Sequence, residues 1–134
     1  MDRPRIGETH GPEWRIQRDL IRFLRARGWL VEVMHGNLFQ KGVPDLYIAH
    51  TEHGQRWIDV KNPVAYTFTK AQRRKWPIWE KHGVGIWILV AATEEEYDKL
   101  WKPPNMRHYW KPKWDLEPTV DEILDEFEDP KLEE

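Results

Sequence analysis

The chain has 134 residues, of which 40% are hydrophobic and 33% are charged, and it contains no cysteine. This composition suits one folded domain, because it is too apolar for a disordered chain and too charged for a membrane protein. The lack of cysteine excludes disulfides, thiolate zinc sites and a cysteine nucleophile. No apolar segment of the signal-peptide kind follows the first residues, so we expect a soluble, cytoplasmic protein.

The formal net charge of -2 hides a strong asymmetry along the chain. Residues 117–134 carry nine acids and one base, for -8, while residues 1–116 carry +6. We therefore interpret residues 1–116 as one basic domain and residues 117–134 as an acidic tail or a docking helix. The near-neutral total does not argue against a nucleic-acid partner, since the two parts carry opposite charges.

Hydrophobic periodicity predicts a small α/β domain. The first helix has one apolar face and an opposite face of arginines, and Gly28 suits its C-terminal end. Thr69 and Gln72 form a capping box at the start of the second helix, which Pro77 should kink or split after Trp76. The predicted elements are a helix at 13–27, strands at 30–34, 46–49 and 57–61, a helix at 70–82, a strand at 86–91, a helix from Thr93 that ends before Pro103, and an irregular strand at 106–114. Their αβββαβ order predicts a small mixed β-sheet flanked by helices.

A cluster of charged residues is predicted at one edge of this sheet. The period of two in the third strand places Asp59 and Lys61 on one face and Ile58 and Val60 on the other, and Asp45 begins the preceding strand. If the two strands pair, both carboxylates lie near a lysine. Two carboxylates about 4 Å apart repel each other by roughly 4 kcal/mol at an effective dielectric near 20, so a proton or a cation must neutralise them. Oxygen ligands without cysteine or clustered histidine favour Mg²⁺ or Mn²⁺.

Four segments in this order resemble a known enzyme superfamily: Glu13, Gly42-Val-Pro-Asp45, Asp59-Val-Lys61 and Gln72. They look like the PD-(D/E)XK nucleases, and most closely like the virus-type replication-repair nuclease (VRR-NUC) domains, which are related to Holliday junction resolvases. The resemblance covers about residues 13–92 and implies a restriction-endonuclease-like core. The second acid is Asp59, where glutamate is more usual in these domains.

The resemblance also implies a metal site. Asp45 and Asp59 would ligate Mg²⁺ or Mn²⁺, the backbone carbonyl of Val60 would be a further ligand, and Glu13 would be an outer acidic ligand. Such a metal generates hydroxide at neutral pH and neutralises charge at a scissile phosphate.

The resemblance further implies catalytic roles for Lys61 and Gln72. Lys61 would be the catalytic lysine, and Gln72 would lie near the attacking water or the phosphate. The activity implied is that of a divalent-metal-dependent DNA endonuclease, hydrolysing phosphodiester bonds of branched or double-stranded DNA, including junctions. The corresponding setting is phage or prokaryotic replication, recombination or repair, in the cytoplasm of a bacterium or of a phage-infected host cell.

Basic residues near this site are candidates for contacts with phosphates, whose charge dominates nucleic-acid affinity. They come from the loop before the first aspartate, from the start of the second helix and from the arginine face of the first: Lys41, Lys70, Arg73, Arg74, Lys75, Arg18 and Arg22. His35 and Asn37 belong to the same loop and could reach the site. For the arginine face, a solvated surface without a ligand stays the alternative.

Several candidates also have a purely structural explanation. Glu13 could be a first-turn acid that interacts with the helix dipole, and Gln72 could serve only the capping box. His50 and His53 resemble a metal site but occupy a tight turn, which disfavours zinc. The tryptophans of the regular elements are expected mostly in the core: Trp14, Trp57, Trp76, Trp79 and Trp87. Trp110 and Trp114 lie among basic residues and could either pack or stack on unpaired bases.

Two other functions stay open at this point. The chain could be a non-catalytic nucleic-acid-binding module of the same fold, or an interaction or inhibitor protein that acts through its acidic tail. Paired cleavage of a junction requires two active sites, so a homodimer is one expected assembly. No membrane partner is expected.

Overall fold

The computed structural model describes residues 12–35 and 41–111. The predictions for the acidic tail at 117–134, for Asn37 and for Trp114 therefore lie outside the described residues.

The described chain forms an α/β fold, as the hydrophobic pattern predicted. Its elements are α1 (Pro12–Arg25), β1 (Leu30–Val33), β2 (Leu46–His50), β3 (Gly54–Val60), α2 (Lys70–Lys81), β4 (Ile86–Leu89), α3 (Glu94–Tyr97) followed by a 3-10 turn (Asp98–Trp101), and α4 (Met106–Tyr109). Gly28 ends the first helical segment with a φ of 88°, a conformation that residues with a Cβ rarely adopt.

The four strands form one mixed sheet in the order β1-β2-β3-β4. The first two pairings are antiparallel, and β3 pairs with β4 in parallel after the crossover through α2. This arrangement confirms the predicted mixed sheet flanked by helices. The parallel register continues one residue beyond β3, where the Lys61 N–H donates to the carbonyl of Leu89 at 3.2 Å.

Each face of the sheet carries its own hydrophobic core. On one face, Leu20 and Leu24 of α1 pack against Ile58 and Val60 of β3. On the other face, Trp76 of α2 belongs to a second cluster that is completed by Phe68, Ile86, Ile88 and Met106. Because helices cover both faces, the side chains on either side of β3 are withdrawn from water.

The outer edge of β4 is bound by side chains. Asn105 accepts a hydrogen bond from the Ile88 N–H at 2.6 Å and donates to the Ile88 carbonyl at 3.0 Å. Glu96, held in α3, accepts from the Val90 N–H at 2.9 Å. The two side chains satisfy backbone groups that β3 leaves unpaired.

Two local predictions need correction. Of the kink or split predicted at Pro77, the split does not occur, because the second helix runs without interruption over Lys70–Lys81, and the kink stays a prediction. The helix survives the missing N–H because Trp76, just before the proline, is fully buried and bonds through its indole N–H to the Gly42 carbonyl. The irregular strand expected from residue 106 is instead the short helix α4, which places Met106 in the second core.

The tryptophans also differ from expectation at one position. Trp76 is buried and Trp57, Trp79 and Trp87 are half-buried, but Trp14 is 40% exposed near the start of α1. Trp110 packs on Phe68 with ring centroids 4.7 Å apart. Within residues 12–35 and 41–111, no helix is long and apolar enough to cross a membrane.

Candidate active site

The two candidate aspartates lie side by side because of the strand register. The antiparallel pairing of β2 with β3 places Leu46 opposite Ile58, so the preceding Asp45 faces Asp59. Asp59 is 1% exposed, and Asp45 is half-buried directly before β2. The structure therefore brings together two acids that are fourteen positions apart in the chain.

Backbone amides fix the orientation of both carboxylates. The Val60 N–H donates to Asp45 Oδ2 at 2.8 Å, and the Asp45 N–H donates to Asp59 Oδ1 at 3.3 Å. Each carboxylate is thus held by the strand that carries the other one. Such reciprocal bonding positions ligand oxygens without the help of a bound ion.

Lys61 brings its ammonium group into the same buried position. Its Nζ lies 3.0 Å from Asp59 Oδ2 and donates to Gln72 Oε1 at 3.1 Å, while the side chain is only 4% exposed. The rings of Phe68 and Trp76 approach Nζ with centroids at 4.7 Å and 5.5 Å. These contacts fix a flexible side chain at one point beside the carboxylates.

Gln72 forms the predicted capping box and also contacts Lys61, while its predicted place near the water or the phosphate stays a prediction. Its side-chain Oε1 accepts a hydrogen bond from the Thr69 backbone N–H at 3.0 Å, and its backbone N–H donates to Thr69 Oγ1 at 3.1 Å. These two bonds form the capping box of α2. The same Oε1 accepts the hydrogen bond from Lys61. The helix start is therefore part of the site.

The electrostatics of the aspartate pair favour a bound cation or proton. Burial raises the pKa of Asp59 well above its usual value and the charge of Asp45 raises it further, whereas Lys61 lowers it. Burial also raises the pKa of Asp45, against the lowering effects of the Val60 N–H, Asp59 and Lys61. One lysine does not compensate two carboxylates that have lost much of their hydration.

Glu13 approaches this cluster from the first turn of α1. The residue as a whole is exposed, yet desolvation of its carboxyl raises its pKa. Lys61 lowers that pKa and Asp45 raises it, so the three groups are near enough to interact. The ligand oxygens of Glu13, Asp45 and Asp59 do not all lie within 4.8 Å of one another, so the three acids do not form one compact ligand set.

The donor set fits a hard divalent cation. Asp59 Oδ2 is buried and accepts no hydrogen bond, although it is ion-paired with Lys61. Carboxylate oxygens are ligands that hard cations such as Mg²⁺ and Mn²⁺ prefer. A cation there would offset the repulsion between the aspartates.

The loop that leads to Asp45 is fastened to α2, which the sequence did not reveal. The Trp76 indole N–H donates to the Gly42 carbonyl at 2.6 Å. Gly42 has a φ of 80°, and a Cβ there would lie 2.8 Å from the backbone carbon of Ala71. The tryptophan and the lack of a side chain at Gly42 together position the Pro44-Asp45 segment. The signal in the sequence was the glycine two residues before Pro44.

The candidate phosphate-binding residues differ in their exposure. Five of them are exposed: Lys41, Lys70, Arg18, Arg22 and Arg73. Arg73 also donates to the Phe68 carbonyl at 3.4 Å. Arg74 and Lys75 are half-buried on α2. His35, at the end of the first described range, is exposed.

His50, Glu52 and His53 form a separate cluster at the turn between β2 and β3. Their possible ligand atoms lie within 4.8 Å of one another. However, His50 Nδ1 already accepts from the Glu52 N–H at 3.0 Å, and a Cβ on Gly28 would lie 3.1 Å from His50 Nε2. Nδ1 of this ring is thus engaged, and the two histidine rings stack at 4.3 Å. The cluster has the features of a packed turn.

No family model, curated protein or solved structure matches this chain. Its chemistry is therefore inferred from the arrangement of the site itself.

Proposed function

We propose that the chain is a divalent-metal-dependent DNA endonuclease of the PD-(D/E)XK type, with a restriction-endonuclease-like core. The observation that carries this proposal is the buried Asp59 beside the half-buried Asp45, with Lys61 Nζ 3.0 Å from Asp59 Oδ2. Two adjacent carboxylates whose pKa values are raised by burial add no stability to the fold, so the pair is best explained by a ligand that it holds.

In this proposal Asp45 and Asp59 hold Mg²⁺ or Mn²⁺, with the Val60 carbonyl as a further ligand and Glu13 at a greater distance. When bound, the cation would acidify a water molecule and neutralise charge on the scissile phosphate. Asp45 and Asp59 contribute oxygens whose orientation the backbone amides fix before any substrate arrives. That preorganisation reduces the reorganisation needed during the reaction.

Lys61 acts as a positioned cation. Its ion pair with Asp59 and its bond to Gln72 keep Nζ in place, from which it donates a hydrogen bond to the attacking water or to the developing charge on the phosphate. Gln72 acts on the reaction through Lys61, since it accepts the lysine's hydrogen bond.

The substrate is proposed to be DNA, with branched structures and junctions preferred. Residues 1–116 carry a charge of +6, and exposed basic residues such as Lys41, Lys70 and Arg73 lie around the loop and helix that form the site. Contacts of these residues with phosphates would supply affinity that decreases with salt. Cutting both strands of a junction would require two copies of the chain.

Cleavage assays with purified variants test the proposal. The wild type, Asp45→Asn and Asp98→Asn would be incubated with a junction, a flap, a linear duplex, a single strand and RNA, in Mg²⁺, Mn²⁺ or chelator. We expect metal-dependent cleavage by the wild type and by Asp98→Asn, whose exposed acid lies outside the site. Asp45→Asn should lose about a thousandfold in rate, corresponding to about 4 kcal/mol.

Circular dichroism would establish that each variant is folded. Full activity of folded Asp45→Asn would overturn the site assignment. A wild type that binds DNA but cuts none of these substrates with either metal would instead identify a non-catalytic binding module.

A further inference from the structure

A basic groove runs along the surface between α1 and β1. Its volume is about 330 Å³. Ile21 and Val33 supply part of its apolar lining, and the longer side chains that line it include Trp14, Arg18, Arg22 and Arg25. This volume is in the range of pockets for small ligands, so it suits one nucleotide and its backbone better than a double helix.

One end of this groove adjoins the candidate active site. Trp14 directly follows Glu13 on α1. Val33 precedes Met34, whose N–H donates to the carbonyl of Asp45 at 2.8 Å. The groove therefore begins next to the carboxylates.

The other end of the groove lies at the start of β1. There Arg25 Nη2 donates to the Val31 carbonyl at 3.2 Å, because the chain turns back after α1. The distance from Trp14 to Arg25 along the helix is about 16 Å, at 1.5 Å per residue. An unpaired strand that follows the helix over this length extends beyond a single nucleotide and presents successive phosphates to the arginines.

Trp14 gives the groove a surface for a planar group. Its side chain is 40% exposed, although its position in a regular helix predicted burial. The guanidinium carbon of Arg18 lies 5.1 Å from the centroid of the Trp14 ring. An exposed indole beside an arginine is a platform on which unpaired bases stack.

The arginines give the groove a charge that matches a phosphate backbone. Arg18, Arg22 and Arg25 are exposed and lie four and three residues apart, hence on one side of α1. Among the described residues, Arg18 forms its ion pair with the neighbouring Asp19, at 3.3 Å and in an exposed position where such pairs stabilise little. The Arg18 guanidinium can thus exchange its ion pair for a phosphate at little cost, whereas Arg25 would share its donors between a phosphate and the Val31 carbonyl.

We propose that this groove binds a single-stranded DNA segment next to the bond that is cut, with a base stacked on Trp14 and phosphates at Arg18, Arg22 and Arg25. The inference rests on the proposed nuclease function and narrows its substrate to DNA with an unpaired strand beside the cleavage point. Flaps, overhangs and branched junctions have that feature, and a continuous duplex does not.

Equilibrium binding without cleavage tests this inference. The probe is a fluorescein-labelled oligothymidine of about 12 nucleotides, compared with a blunt duplex of the same length, in Ca²⁺ instead of Mg²⁺. Trp14→Ala should weaken single-strand binding about tenfold and duplex binding less than about twofold, with an unchanged salt dependence. Trp14→Phe should retain most of the affinity, because it keeps a stacking ring.

The charge contribution is measured separately with Arg22→Ala. This variant should weaken single-strand binding and lower the slope of log K against log salt by about 0.7, the value for one phosphate contact on a single strand. Matched controls are Trp101→Ala, which removes another exposed indole (45% exposed), and Lys81→Ala at the far end of α2. Neither control should change the affinity or the slope.

Two results would overturn the proposal. If folded Trp14→Ala and Arg22→Ala bind the oligothymidine like the wild type, the groove is not the binding site. If they weaken single-strand and duplex binding equally, the groove is a duplex surface. Because binding is measured without cleavage, these results are independent of Asp45→Asn, whose activity tests the nuclease function itself.

Discussion

Gln72 and Lys61 are joined by a hydrogen bond of 3.1 Å between Oε1 and Nζ, and the same Oε1 accepts the Thr69 N–H at 3.0 Å. One side-chain oxygen thus stabilises the start of α2 and fixes the buried ammonium group of Lys61. A change at Gln72 should therefore affect stability and activity together, whereas a change at Thr69 should affect stability alone.

Thr69→Ala and Gln72→Ala separate these two effects. Each removes part of the capping box, so each should lower the free energy of unfolding by about 1 kcal/mol. Only Gln72→Ala should also lower cleavage, by about 10- to 100-fold, because it frees Lys61. Urea denaturation and initial cleavage rates measure the two effects. Full activity of Gln72→Ala would show that Gln72 is a helix cap only.

Stability of the metal-free protein should decrease as the pH rises above the ordinary aspartate pKa of 3.8. Burial raises the pKa of Asp45 and Asp59 in the folded protein, so the folded state holds protons that the unfolded chain has already released. The folded protein loses those protons as the pH rises through the raised pKa values of the two aspartates. The free energy of unfolding decreases over the same pH range. Thermal melting between acidic and neutral pH measures this trend, which Asp45→Asn should weaken. A wild-type melting temperature that increases through this window would contradict the prediction.

Metal binding should reverse this loss at neutral pH. A cation that binds only the folded protein, at ten times its dissociation constant, stabilises the protein by about 1.4 kcal/mol. Mg²⁺ or Mn²⁺ should therefore raise the melting temperature of the wild type and leave that of Asp45→Asn almost unchanged. An equal increase in both proteins would place metal binding elsewhere on the chain.

Gly42→Ala and Gly83→Ala form a matched pair. Both glycines have positive φ, 80° and 83°, but a Cβ at Gly42 would contact the backbone of Ala71 at 2.8 Å, whereas a Cβ at Gly83 would have no heavy atom within 4 Å. Gly83→Ala should cost about 1 kcal/mol for its backbone conformation. Gly42→Ala should cost at least about 2 kcal/mol and reduce cleavage, since the loop to Asp45 must move. Equal unfolding free energies would show that the contact with Ala71 is easily relieved.

Pro77→Ala should stabilise the protein. A proline inside a helix costs about 3 kcal/mol, of which up to about 1 kcal/mol is offset by its restriction of the unfolded chain. Restoring the N–H at this position of α2 should raise the free energy of unfolding by about 2 kcal/mol, without loss of cleavage. Pro103→Ala, at an exposed position outside the helices, is the control and should change stability little. A destabilised Pro77→Ala would mean that the ring packs too well to be replaced.

The parts of the site that the sequence predicted are those set by local rules. The capping box depends on residues three apart, and the opposition of Asp45 to Asp59 follows once two short strands joined by a turn are paired. Strand alternation also placed Lys61 on the face of Asp59, as their 3.0 Å ion pair confirms.

The parts that the sequence did not predict depend on distant contacts. The place of Trp14 in a regular helix predicted burial, but the position of α1 over β1 leaves its ring at the edge of the groove. The docking of Gly42 on Trp76 joins residues 34 positions apart, and no local pattern encodes it. Likewise, the segment from residue 106 became helical because burial of Met106 in the second core outweighed its mixed local pattern.

Asn105 has a consequence for how copies of this chain can associate. By bonding to both backbone groups of Ile88, with Glu96 at Val90, it closes the β4 side of the sheet against an incoming strand. Within the described residues, a continuous intermolecular sheet would therefore have to grow from β1, on the opposite border, where Arg25 already binds the Val31 carbonyl. For residues 12–35 and 41–111, a second copy would join at that border or through helix surfaces.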